Sequence, residues 1–360
     1  MNQATWKLTD RRYESHHFHT EINKRLSGLR ADNFTGALYI MKDYFVIVSC
    51  GFITLNYSWW FYPLAVLIIS AHQRGLTTIA HDAAHRTLAK NAILNYFLGT
   101  IFGSYPLFQR HWAYRISHVH LHHPFLGNPQ KDPDLMFFMQ SGIYDVCHPF
   151  RYFLNIVIFP IFGGATLDYL KYLITTRFRV VDEGDGNGAK NSDQTKFLID
   201  GIGFYFFWIL VALVGYWNMW LDEIILFWII PYLTTFQILG WFIEIAEHSP
   251  MCESESENIF LTRNRKGNLV ERLLFGVNLD EYHLEHHLSP GVPFWKLKVA
   301  QEIRRLDPRY DSIAKTWGGL FCSGPQGQPS VIALLLERNE RLYWSQKYTD
   351  NHNTTTDART

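Results

Sequence analysis

Histidines gathered within a few residues of one another are the feature of this 360-residue chain best suited to chemistry. Residues 278–290 read N-L-D-E-Y-H-L-E-H-H-L-S-P and contain His283, His286 and His287. In an α-helix, positions i, i+3 and i+4 fall within roughly 100° of arc, so three imidazoles point into one space. His286 and His287 are adjacent, so they can serve two different metal ions. Neutral imidazole is the commonest metal ligand near neutral pH. Taken alone, the stretch also reads as a histidine-rich surface helix, but similar clusters occur twice more. His81 and His85 stand i, i+4 in H-D-A-A-H, a pairing that by itself would be coincidence. His118, His120, His122 and His123 lie in H-V-H-L-H-H, closed by Pro124. His248 ends the run E-I-A-E-H. An isolated histidine there would be an interfacial residue; its place level with the clusters makes it a further candidate ligand.

The elements that must position these residues are apolar. Lys+Arg and Asp+Glu both number 33, so no excess of positive charge points to nucleic acid. Aromatic residues make up 16% of the chain, with 12 tryptophans, a composition suited to membrane interfaces. Cys50, Cys147, Cys252 and Cys322 are far apart and lack a C-x-x-C pair, so they read as reduced, structural thiols. The polar N-terminus has no apolar run, so no cleaved signal peptide is expected, and His16, His17 and His19 read as part of a solvated tail.

Residues 37–80 are apolar with a break at 56–58. They predict a short first span near 44–56, with Lys42 snorkelling at its start, and a second span over 59–80. His72 inside the second reads as a packing or interfacial residue. Residues 197–221 and 224–243 predict a second hairpin, in which Pro231 is tolerable. Trp59 and Trp60, and Trp217 and Trp220, mark the far ends. Segments 92–108 and 152–175 are broken by glycine and proline and read as interfacial or half-inserted helices. Residues 182–194 predict a loop, and 351–360 a disordered tail. Two hairpins return the chain to its starting side, so the clusters share one side with the N-terminus. The far turns hold no Lys or Arg, which by the positive-inside rule puts the clusters in the cytoplasm. The expectation is an all-α, multi-pass integral membrane protein. It has two transmembrane helical hairpins and a cytoplasmic helical cap carrying the metal site. The rival, a soluble helical protein with apolar core helices, does not explain paired hydrophobic stretches with aromatic turns.

The order H-x3-H, H-x3-H-H, H-x2-H-H around two hydrophobic hairpins resembles the membrane fatty acid desaturase and hydroxylase superfamily. R-I-S-H at 115–118, D-P-D at 132–134, A-E-H at 246–248, Asn278 and Y-H-L-E-H-H-L-S-P at 282–290 resemble that family's text. The resemblance covers roughly residues 37–305, the implied catalytic domain, between a polar cytoplasmic segment 1–36 and a cytoplasmic C-terminal segment and tail 306–360. It implies two iron ions held by nine histidines: His81, His85, His118, His122, His123, His248, His283, His286 and His287. It implies no catalytic residue beyond these ligands. His120 blurs the register of the second cluster. Glu244, one turn before His248, is at the spacing of a further polar group, and direct or water-mediated metal contact are both open for it.

A di-iron centre uses O2 and two electrons to remove hydrogen from an unactivated C–H bond, and neutral nitrogen ligands leave positions for O2. Asp82, Glu281 and Glu285 read either as acceptors that orient imidazoles or as ordinary surface charges. The leading expectation is an oxidoreductase that desaturates a lipid-linked acyl chain. Hydroxylation or ketolation, and oxygenation of a carotenoid or small polar metabolite, share its chemistry. A membrane zinc hydrolase needs only three or four ligands, and a transporter would line its spans with the histidines. No haem, flavin or four-cysteine iron–sulfur pattern is visible. Electrons are therefore expected from a separate ferredoxin or cytochrome b5 type protein.

Overall fold

A computed structural model describes residues 12–178 and 191–357. Its described residues are helical throughout, apart from an isolated bridge between Glu14 and Glu257. Three helices are long and apolar enough to cross a membrane: Thr35–Asn56, Gln194–Trp217 and Leu221–Glu253. Their apolar character is not an ordinary core pattern. On Thr35–Asn56, Leu38, Met41, Phe45, Val48 and Phe52 repeat at helical spacing and are all exposed, while Asp43, Cys50 and Thr54 face inward. A helix whose outer face is greasier than its inner face is built for a lipid surround.

The first span is longer than expected. It runs for 22 residues and carries Lys42 and Asp43 in its middle, not at its start. It can do so because their charges are satisfied inside the protein. Asp43 is fully buried and bonds His72 Nδ1 at 2.8 Å and Asn278 Nδ2 at 2.7 Å, and Lys42 bonds Asn278. His72 is thus a packing residue that ties two helices together.

The predicted span over 59–80 forms as the helix Tyr62–His85, and it is the innermost element. Ala65, Ile69, Leu76 and Ile79 are completely buried. Shielded by its neighbours, this helix carries Gln73, Arg74 and Asp82 without facing lipid, which is why it falls short of the apolarity of the other three. Ala92–Leu98 continues into a π-helical turn, Gly99–Ser104, laid directly on its C-terminal half. A Cβ at Gly99 would stand 1.9 Å from Ala83 Cβ, so glycine is what permits that approach.

The segment expected as interfacial or half-inserted is a bent pair, Pro149–Ile161 and Thr166–Phe178, angled by 72° across Gly163 and Gly164. The loop expected at 182–194 lies outside the described residues as far as 190; from Asn191 the chain is helical. At the C-terminus the helix Val331–Asp357 continues into the stretch expected as tail, which contains no Gly or Pro to stop it. His16 is not part of a solvated tail: its ring bridges Glu257 at 3.2 Å and Asp307 at 3.3 Å. His17 and His19 are exposed as expected.

Candidate metal centre

Each histidine cluster sits at the end of an element that fixes its direction. His81 and His85 occupy the last turn of Tyr62–His85, which Arg86 stops in a left-handed conformation, φ 64°. The second cluster follows the short helix His111–Arg115 and lies on the π-helix Ile116–His122, with His123 directly after it. The wider π turn brings residues five apart onto one face, and His118 and His123 meet with their Nε2 atoms 3.1 Å apart. His248 ends the helix Thr235–His248. The third cluster follows two left-handed residues, Asn278 and Leu279, that turn the chain into the helix His283–Leu288.

These elements bring nine histidines into two abutting groups. One holds His81, His85, His118, His123 and His286; the other holds His122, His248, His283 and His287. Within each group the nearest ligand atoms all lie within 4.8 Å of one another. The adjacent pairs His122–His123 and His286–His287 divide between the groups, and the rings of His123 and His287 stack across the boundary at 4.3 Å. His120 points outward, exposed, and belongs to neither group.

The atoms themselves suit metal ions. His123 Nε2 faces both His118 Nε2 at 3.1 Å and His286 Nε2 at 2.9 Å, and His287 Nε2 faces His283 Nε2 at 3.0 Å. A neutral imidazole has one N–H, so lone pairs converging in this way cannot all be satisfied by one another. Among the described residues, the buried Nε2 atoms of His81 and His85 have no hydrogen-bond partner. A cation at each point of convergence resolves both problems. The donor set fits iron, although imidazole alone would equally hold zinc, copper or nickel.

The opposite ring nitrogens set the orientation. His122 Nδ1 bonds Asp132 at 2.9 Å, with Asp134 at 3.4 Å. His248 Nδ1 faces the Leu261 carbonyl at 3.3 Å. His81 Nδ1 reaches Asp82 at 3.4 Å, and Asp82 is itself held by the Phe294 amide at 2.8 Å. Burial, reinforced by neighbouring imidazoles, pushes His118, His123, His283, His286 and His287 well below the ordinary imidazole range, so they are neutral donors. Burial also lowers His122, but the Asp132 and Asp134 carboxylates overcome it and raise this ring to about 9.

Of the three carboxylates expected near the clusters, only Asp82 touches an imidazole. Glu285 is completely buried and bonds Arg304, Tyr310 and Asn264; Glu281 pairs with Arg272 at 3.2 Å. These two anchor the backbone of the third cluster instead. Glu244 stands outside both groups, bonded by the Tyr169 hydroxyl at 3.2 Å with the Arg74 guanidinium at 3.5 Å. Glu247, which the sequence reading passed over, lies 3.4 Å from His283 Nε2.

A cavity opens beside both groups, and its wall carries charged residues among neutral and apolar ones such as Thr78, Tyr114 and Phe294. Arg74, Arg177, Asp134, Glu244, Glu247 and Asp280 line it. A second cavity shares Arg74, Arg177 and Glu244 and extends the space towards Phe108 and Gln109. The two arginines were invisible as site residues because neither belongs to a spaced histidine cluster and each lies within an apolar or broken segment.

Comparison with known proteins adds independent findings. A family model described as fatty acid desaturase matches residues 57–316. The chain is 64% identical over 353 residues to dihydrorhizobitoxine desaturase of Bradyrhizobium elkanii, covering 98% of each chain. It is 25% identical over 302 residues to the sn-1 oleoyl-lipid 12-desaturase of Anabaena variabilis, covering 76% of this chain and 75% of the relative. The enzyme of the same name from Synechocystis sp. is 23% identical over 290 residues, 76% of each chain.

Proposed function

The chain belongs to the fatty acid desaturase family, and from that premise we propose that it is a di-iron, O2-dependent membrane desaturase acting on dihydrorhizobitoxine or a closely similar small polar molecule. The observation that carries the substrate reading is the charged cavity beside the histidines. Two guanidiniums and five carboxylates in its wall would have to shed water against the methylenes of an acyl chain, which is costly for charged groups. A compact molecule with its own charged groups replaces that water. The near full-length identity to the dihydrorhizobitoxine enzyme supports the same choice. The acyl-lipid relatives keep a lipid-linked acyl chain as the second reading.

The nine histidines are the proposed ligands of two irons, five on one and four on the other. Bound there, the irons would supply the oxidising chemistry: with O2, two electrons and two protons, two hydrogens leave adjacent carbons and two waters form. The protein's own residues do the rest. Asp132 and the Leu261 carbonyl hold His122 and His248 with Nε2 turned to the centre. Arg74 and Arg177 offer bidentate donors to an anionic group of the substrate, and Glu244 and Glu247 offer acceptors to a cationic one. Two bound ends fix which C–H bonds face the histidines.

In the membrane, the two hairpins leave Trp59, Trp60, Trp217 and Trp220 at the far interface and the histidines at the cytoplasmic side. Electrons come from a separate carrier of the ferredoxin or cytochrome b5 type. The test is product analysis. Membranes containing the chain are given dihydrorhizobitoxine, O2 and a reducing system and assayed by mass spectrometry. The expected product is two hydrogens lighter and absent with His286→Ala/His287→Ala. A new double bond in membrane fatty acids, with the polar substrate untouched, would overturn the substrate assignment; a product one oxygen heavier would overturn desaturation.

A further inference from the structure

The charge on the protein's surface is not spread evenly around the two histidine groups. The arginines behind the third cluster are neutralised: Arg265 pairs with Asp280 at 2.7 Å, Arg272 with Glu281 at 3.2 Å, and Arg304 with Glu285. The cations bordering the second cluster are not. Arg115 stands three residues before His118, Arg86 follows His85, whose ring lies 5.4 Å from that of His118, and Arg12 and Lys131 both lie over the Phe125 ring at the cluster's end, 5.1 and 5.0 Å from the centroid. Among the described residues none of these four forms an ion pair with a carboxylate. Between the two ends, His120 is exposed, and Arg86 is exposed immediately beside His85, one of the less buried rings of the five-histidine group.

We propose that this face, bordered by Arg12, Arg86, Arg115 and Lys131, is the docking surface for a small soluble electron-carrier protein with an acidic face, which delivers electrons next to His85. Unpaired cations cost nothing to leave in water but are unfavourable to crowd together. Gathered beside a redox centre, they are complementary to an anionic partner and steer its approach. A carrier here gives up one electron per encounter and leaves oxidised, so two encounters supply one turnover. The inference rests on the proposed redox function, and the experiment separates the two.

The full-length protein is placed in nanodiscs of uncharged phosphatidylcholine. Binding of an acidic [2Fe–2S] ferredoxin is followed by fluorescence anisotropy at low and at 0.5 M salt. Wild-type binding should weaken with salt, because screening shortens the reach of surface charge. Arg86→Glu/Lys131→Glu should raise Kd by about tenfold or more at low salt; Lys131→Glu alone, on an exposed side chain, should give a smaller rise in the same direction. Lys298→Glu, an exposed cation on the helix Leu297–Arg304, should bind as wild type. Unchanged binding by the double variant, or an equal loss in Lys298→Glu, would overturn the docking site. So would capture of phosphatidylglycerol vesicles by this face without ferredoxin binding, which would make it a membrane-contact patch. Photoreduction in place of the carrier distinguishes the premise: no product from wild type under photoreduction defeats the desaturase reading, whatever the anisotropy shows.

Discussion

Nine imidazoles buried against one another are a liability in any protein that does not fill the space between them. His118, His123, His283, His286 and His287 are among those held far below their ordinary range by burial and by each other. In the metal-free protein the sign follows directly. The unfolded chain takes up protons on these rings below about pH 6.5 and the folded chain does not. The stability they contribute is therefore complete above that pH and lost as pH falls. Thermal melts of chelator-treated protein should show a Tm that drops steeply between pH 7 and 5; a flat profile would mean that the rings charge freely in the fold. Removing an orienting group acts differently from removing a ligand. Asp132→Asn keeps the shape but weakens the hold on His122 Nδ1, and metal affinity should fall roughly 10–100-fold, measured by competition with a chelator. Arg74→Met should raise KM for the polar substrate at least about tenfold, as loss of a charge-assisted contact requires, while iron content stays the same. The histidines were legible in the sequence because ligands come in spaced clusters. Arg74, Arg177 and Glu247 were not, since a cavity wall is assembled from residues with no common spacing.

At the scale of elements, the centre depends on how closely the π-helical turn Gly99–Ser104 lies on the innermost helix. Any side chain at Gly99 meets Ala83, two residues before His85. Gly99→Val should destabilise the protein by about 1–3 kcal/mol and displace the first cluster, seen as lost iron and a lower unfolding midpoint. Retained iron and stability would show that the turn moves freely. The π-helical second cluster was not foreseeable. An α-helical reading of H-V-H-L-H-H puts His118 and His122 on one face, whereas the widened turn joins His118 to His123 and sends His122 to the other group. The innermost helix was misjudged for a related reason. Length and composition place an apolar helix over 59–80, but only its packing says that neighbours stand between it and the lipid.

The whole molecule divides its tasks by depth. Helices with exposed apolar faces suit a lipid surround, the innermost helix carries the first cluster at its end, and the turn leading into the third cluster packs against that helix. The long apolar helices were legible because lipid imposes length and composition on a chain. Charge arranged on the outer surface and charge lining the cavity leave no such pattern. The family and the two histidine groups together make metal identity and number the central claim. The measurement that tests it most directly is metal content per chain with Mössbauer spectroscopy on protein grown with isotopically enriched iron. The account predicts two irons per chain in coupled, nitrogen-rich sites, lost together in His286→Ala/His287→Ala. A single ion per chain, or zinc filling the site in iron-replete cells, would contradict it.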